Sequence, residues 1–291
     1  MSIHYLLFIP LVLLASSKVL LQGMISRNYL KNATDVTLYN SMVFGGMTVI
    51  YLILNGMNIP NPRLLPYGIA YGLLLAAYQV FYTLAFQRGP VSHTALIVTF
   101  NNVFAITFCI LYCNETLNLI NIIGLAAMLL SLVLTVDFKQ SKAHQFSFTW
   151  FILSLSAMTV MGISNIILKL QKMTVPGSDI SMLLITYFFG TVGLFLFYLF
   201  QSKVLKQKKM VILLRSRVVA IMTVSVILGA YFILYMLGVG SIPSVVFFPV
   251  VNIAPTTMIS VFGILVFKDR LSLQQKWSMF FGITATVLLC L

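Results

Sequence analysis

Few residues in this 291-residue chain can make or break bonds. The five carboxylates, Asp35, Glu115, Asp137, Asp179 and Asp269, stand at the ends of apolar runs or between them, and none sits in the middle of one. His4, His93 and His144 are placed the same way. Scattered like this, they offer no carboxylate pair for general acid–base work and no aspartate cluster for metal–diphosphate chemistry. The three cysteines, Cys109, Cys113 and Cys290, are too few for a disulfide framework. Cys109 and Cys113, four apart, read as small residues at a helix contact. There is no Walker-type glycine loop and no zinc-spaced Cys/His set. The expectation is a protein that is not an enzyme and holds no metal or cofactor.

The exception to this quiet inventory is Lys18, in the stretch LLASSKVLLQG (residues 13–23). A charge at membrane depth costs at least about 2.5–3.5 kcal/mol on insertion scales, so such residues tend to face a cavity or a partner. Ser16, Ser17 and Gln22 make a polar patch around it. Two readings stand side by side. In one, Lys18 faces an internal cavity, repels cations and attracts anions. In the other, it snorkels toward the nearer boundary or bonds helices together.

Other polar groups also fall mid-run. They are Tyr39 and Asn40, Tyr78 and Tyr82, and Asn101 and Asn102 in the first half, then Asn165, Tyr187, Tyr235 and Asn252 in the second. Each alone is read as interhelical glue, on average only about 0.6 kcal/mol. As a set from corresponding positions they are the candidate lining, with Lys18, of a binding pocket; tyrosines can stack on a ring or donate to a carboxylate or phosphate. Pro249 and Pro255 each remove a backbone donor inside one run and are candidate gating hinges.

The elements that must position these residues follow from composition. The chain is 60% hydrophobic and 8% charged, with a net charge of +13. A soluble domain carries about 25% charged residues. Ten apolar runs each reach the roughly 20 residues that span a bilayer as helix: 3–25, 36–54, 64–86, 91–113, 117–136, 146–168, 180–200, 218–239, 242–267 and 273–291. Runs of this length in lipid must satisfy their own backbone, so helices are expected and β-strands are not. The connections are short, and the longest, residues 201–217, is too short to fold as a domain. No ATP-hydrolysing module is expected.

Fourteen of the eighteen lysines and arginines fall in the odd-numbered connections, and three, Arg63, Lys169 and Lys172, on the even-numbered side. The positive-inside rule therefore puts the odd connections in the cytoplasm and both termini outside. The same clustering marks the charge as membrane-orienting, so no nucleic-acid partner is expected.

The chain repeats itself. ETLNLINIIG (residues 115–124) opens the fifth run and DRLSLQQKWS (residues 269–278) the tenth; each reads acid-x-Leu-(Asn/Ser)-Leu, with a small residue nine after the acid. LAFQRGPVSHTALIV and LYMLGVGSIPSVVFF join runs 3–4 and 8–9. The halves are 1–138 and 139–291. Five spans per half is an odd number, so the halves must be inverted relative to each other, an arrangement that points to alternating access with a site near the midplane.

On these residues the chain resembles the ten-helix drug/metabolite transporter superfamily, of the EamA-like type. The resemblance spans the whole chain. It is carried by the tight 3–4 and 8–9 junctions, the acid-x-Leu-(Ser/Asn) entries to runs 5 and 10, and Pro255 fourteen residues before Asp269. LYNS (residues 38–41) is similar to a Phe-Tyr-Asn-Asn motif of related GDP-mannose carriers, but VNIAPTTM stands where their Gly-Ala-Leu-Asn-Lys motif belongs. Asn101–Asn102 stand where the family usually has a proline. Family members generally keep both termini cytoplasmic; the charge count of this chain says the reverse and is followed here. Small multidrug exporters of the superfamily need a glutamate on helix 1, where this chain has Lys18.

The expectation is an all-α integral membrane protein of ten transmembrane helices in two inverted five-helix repeats. It would be a secondary transporter of a small polar metabolite, anionic or zwitterionic. Alternatives are a lipid-linked sugar flippase or its subunit, a nucleotide-sugar transporter, and a cationic drug exporter. Its partners would be the bilayer and the solute, with a homodimer as a candidate assembly. Its membrane would be a bacterial plasma membrane or a eukaryotic endomembrane.

Overall fold

The structure is a computed structural model that describes residues 6–30, 33–88, 94, 97–98, 100–113, 115, 118–135, 148–204, 215–267 and 273–290. His4, His93, His144, Asp137 and Asp269 lie outside the described residues. Ten α-helices run through the described chain: α1 (Phe8–Tyr29), α2 (Ala33–Leu54), α3 (Leu65–Arg88), α4 (Asn101–Tyr112), α5 (Leu119–Thr135), α6 (Phe148–Thr174), α7 (Asp179–Val204), α8 (Arg215–Ser241), α9 (Ser244–Phe267) and α10 (Leu273–Cys290). Each falls on one of the ten apolar runs. Five of the described stretches are by themselves long and apolar enough to cross a membrane: Thr34–Leu54, Pro62–Ala85, Phe148–Thr174, Asp179–Lys203 and Val218–Ser241. Exposed Leu196 and Phe200 on α7, and Val219, Met222 and Val226 on α8, cover the outside of the bundle with apolar surface. Large contiguous patches of this kind are unusual on soluble monomers and suit lipid.

Sharp connections keep neighbouring helices in register. After α2 the chain turns through Gly56 and Met57, both at positive φ. Asn55 and Asn58 brace the turn by exchanging side-chain amide bonds to each other's carbonyls at 2.7 and 2.9 Å. Asn61 then accepts the Arg63 N–H at 3.0 Å and opens the short 3-10 turn Pro62–Leu64 that leads into α3.

Most of the packing joins residues 1–138 to residues 139–291. α2 packs on α7 and α8, and α3 on α6 and α7. α1 packs on α8 and α9, α4 on α6 and α9, and α5 on α10. Close approach needs small residues, because lipid gives helices no hydrophobic drive to associate and contact must do it. At the α3–α7 crossing a Cβ on Gly72 would lie 2.2 Å from the Thr186 carbonyl oxygen and 3.1 Å from the Gly190 nitrogen. At the α2–α8 crossing a Cβ on Gly46 would lie 2.5 Å from the Ser225 hydroxyl, which donates to the Val43 carbonyl at 3.1 Å. The α5–α10 seam uses the small residue nine after each acid of the repeated motif: Gly124 lies against Leu289, and Ser278 exchanges hydroxyl–carbonyl bonds with Ser131 at 2.7 and 2.9 Å.

Candidate functional site

Lys18 is the eleventh residue of the 22-residue α1. The first run was expected to end at residue 25, but the helix continues to Tyr29. At 1.5 Å per residue Lys18 is therefore about 16 Å from the helix end, and the added turn carries Arg27 and Asn28. Its ammonium lies 5.3 Å from the centroid of Tyr231 and 5.6 Å from that of Phe232, both on α8. Among the described residues, the two ion pairs are Lys169 with Glu115 and Lys172 with Asp179, so no described carboxylate pairs with Lys18. Cation–π contacts contribute about 0.5–2 kcal/mol, against a cost of at least about 2.5–3.5 kcal/mol for a charge at depth. The aromatic faces offset part of that cost.

The rings under Lys18 belong to a cluster centred on Tyr187 of α7, which is fully buried. Its ring meets Phe44 at 4.9 Å, Phe232 at 5.4 Å and Tyr51 at 5.6 Å between centroids. Along α8, Tyr231 and Tyr235 lie 5.7 Å apart, and Tyr235 abuts Phe247 of α9 at 5.0 Å. Tyr51 donates to the Gly229 carbonyl at 3.0 Å. The hydroxyls of Tyr39, Tyr71, Thr186 and Tyr187 are buried and have no hydrogen-bond partner among the described residues. Buried polar groups are nearly always paired, and leaving one unpaired costs about 1–3 kcal/mol.

Beside the rings runs a chain of amides. Asn165 on α6 donates its side-chain N–H to Asn101 Oδ1 on α4 at 3.0 Å and accepts the Tyr235 hydroxyl at 3.3 Å. Asn252 on α9 donates to Asn102 Oδ1 at 2.8 Å and to the Phe248 carbonyl at 3.0 Å. Asn101 and Asn102 thus send the start of α4 to two different partners. The backbone explains their availability: Phe100 is in a turn, with three-residue bonds from its N–H to Ile97 and from Val103 to its carbonyl, and α4 begins at Asn101. The polar pair sits at this turn and not in an unbroken helix, as the continuous run 91–113 had implied.

The remaining candidates lie around this centre. Tyr78 and Tyr82 stack on each other along α3 at 5.2 Å. Tyr39 is buried in the main core, while its neighbour Asn40 lines a narrow cleft between α2, α3 and α7 with Thr37, Gln79, Thr83 and Gln201. Asn40 is thereby parted from the amide chain. Pro249 and Pro255 both lie inside α9, and Ser16 donates to the Pro255 carbonyl at 3.5 Å.

Sequence reasoning passed over Tyr71, Thr186 and Phe232. Tyr71 had a signal, standing seven residues before Tyr78 and so near the same face of α3. Thr186 and Phe232 had none beyond adjacency to Tyr187 and Tyr231.

Chemically, the centre offers one cation, several aromatic faces, hydroxyls that lack partners and a row of amides. That set can bind and orient a polar solute; no described carboxylate or imidazole stands there to move a proton.

The fold has solved relatives. A protein crystal structure superposes with a TM-score of 0.75 over 100% of this chain and 99% of its own, at 14% identity. No curated protein matches the sequence. Residues 2–137 match the EamA-like transporter family, and that match together with the long apolar helices indicates an integral multi-pass membrane protein.

Proposed function

We propose that the chain is a secondary transporter that carries a small anionic or zwitterionic metabolite by alternating access between residues 1–138 and residues 139–291. The observation that carries this reading is Lys18: a cation in mid-helix, against aromatic faces, with no described carboxylate to balance it. The orphan hydroxyls of Tyr71, Thr186 and Tyr187 support it, as donors awaiting oxygen acceptors. The pocket would be completed by the amides of Asn101, Asn102, Asn165 and Asn252. A cationic drug would meet like charge and find its aromatic faces already taken.

The inverted-repeat reading is supported by the pairing of helices. α3 packs on α6 and α7 as α8 packs on α1 and α2, and α4 packs on α6 as α9 packs on α1. These three contacts each have a counterpart five helices later, as a twofold axis between the halves would give. Pro249 and Pro255, each removing a backbone donor inside α9, would be the hinges in this scheme. The charge count assigns the odd connections to the cytoplasm.

The test is thermal stabilisation of the purified protein by a metabolite library. A ligand that binds the native state at 100 times its Kd stabilises by about 2.7 kcal/mol. Carboxylates, phosphate esters or zwitterions should raise the melting temperature, and Lys18→Gln should abolish the rise. Stabilisation by cationic dyes alone, unchanged in Lys18→Gln, would overturn the reading. Stabilisation by polyprenyl-phosphate sugars alone would convert it to a lipid-linked sugar flippase.

A further inference from the structure

The ends of the helices that carry the even-numbered connections hold an arrangement separate from the central site. Glu115, in the connection from α4 to α5, places Oε1 3.1 Å from Lys169 Nζ on α6. Its Oε2 accepts the backbone N–H of Val245, the second residue of α9, at 3.3 Å. That N–H belongs to the first turn of a helix, where the unpaired amides and the dipole favour an anion. One carboxylate from residues 1–138 therefore holds two helices of residues 139–291. Directly beneath it, Cys109 Sγ of α4 lies 3.2 Å from the Ser244 hydroxyl at the head of α9, and Cys109 is fully buried. The Lys169 and Glu115 side chains are only 14% and 15% exposed, so the pair is shielded enough to matter and open enough to part. The other ion pair among the described residues, Lys172 with Asp179, joins α6 to α7 inside residues 139–291 and does not cross between halves.

We infer that Glu115 and Lys169 form a latch that keeps the two halves shut on the face of the even-numbered connections, and that the latch parts when that face opens. The inference rests on the transporter reading for its purpose. Alternating access requires a closure that can be made and broken on each face, and a charge pair across the moving boundary is made for that. Helix α9 carries the hinges Pro249 and Pro255 below the Val245 contact, so release of Glu115 frees the end of the helix that bends.

Cys109 reports on the latch without any substrate. In a Cys113→Ser, Cys290→Ser background it is the sole thiol, and its reaction with a water-soluble maleimide measures opening of this face. Slow labelling is expected in the parent. Glu115→Gln and Lys169→Met should each label at least about tenfold faster, the factor that corresponds to about 1.4 kcal/mol of closure. Lys172→Met should label at the parent rate. Either latch variant, folded by its melting curve yet labelled as slowly as the parent, would overturn the inference; so would equal acceleration by Lys172→Met. If Glu115→Gln fails to fold, Lys169→Met decides alone. Loss of the latch result leaves the ligand-stabilisation test standing, and a failed ligand screen leaves the labelling result standing.

Discussion

Asn165 and Asn101 share one hydrogen bond across the α4–α6 boundary, Nδ2 to Oδ1 at 3.0 Å, and that bond links the helix break at Phe100 to the aromatic cluster through Tyr235. Asn165→Ala removes a donor to Asn101 and an acceptor for Tyr235 at once. In a soluble core two orphaned partners would cost about 1–3 kcal/mol each. Between transmembrane helices single bonds average about 0.6 kcal/mol, since freed groups find other partners. The membrane figure governs here, so Asn165→Ala should lower stability by about 1 kcal/mol, read as a modest drop in melting temperature. Asn165→Leu, which forces an apolar branch against Asn101, should do more harm.

Gly72→Ala should be far more damaging than its single methyl suggests. The new Cβ would meet the Thr186 carbonyl oxygen at 2.2 Å, and a backbone atom of a packed helix cannot swing away. Relief requires α3 and α7 to separate, at a cost of about 3 kcal/mol or more, at the upper end for overpacking. Gly193→Ala on α7 is the control: its nearest atom is the end of the Leu73 side chain at 3.2 Å, which can rotate. Folded yield and melting temperature should fall sharply for the first and little for the second.

The helices were legible because lipid leaves one local solution to a long apolar run; the turn at Phe100, inside the run 91–113, is the interior departure among the described residues. The site was half legible. Polar residues in apolar runs stand out, so Lys18, Asn101, Asn165 and Tyr235 could be named, and the structure brings them to one region of the bundle. Asn40 shows the limit of that signal: it is as polar, yet it lines a separate cleft. Which face of a helix a residue occupies relative to a distant helix is set by tertiary packing, which one sequence does not encode locally. Phe44 and Phe232 were invisible for the opposite reason, since a phenylalanine in an apolar run carries no contrast. Glu115 was read as a motif letter at a span end; its role at the α6–α9 boundary depends on Lys169, 54 residues away.

Tyr187→Phe and Tyr51→Phe should separate binding from packing. The Tyr187 hydroxyl has no partner, so its removal leaves the rings in place and the protein as stable or slightly more so. The Tyr51 hydroxyl donates to the Gly229 carbonyl, and its loss should cost about 1 kcal/mol. Stabilisation by a bound anionic ligand should show the reverse order, weakened in Tyr187→Phe and nearly intact in Tyr51→Phe. Paired melting curves with and without ligand check both halves.

Lys18→Met should stabilise the ligand-free protein. The change removes a charge costing at least about 2.5–3.5 kcal/mol at depth and forfeits cation–π contacts with Tyr231 and Phe232 that return about 0.5–2 kcal/mol. The difference favours methionine by about 0.5–3 kcal/mol, and the unbranched side chain can follow the lysine stem. The melting temperature without ligand should therefore rise, while the increment added by an anionic ligand should vanish. A residue kept only as helix glue would behave otherwise: its loss would lower the melting temperature without ligand, and any ligand increment would survive. The two signs are opposite on both measurements, so one pair of melting curves distinguishes a lysine held in readiness for an anion from one that merely fastens α1 to α8.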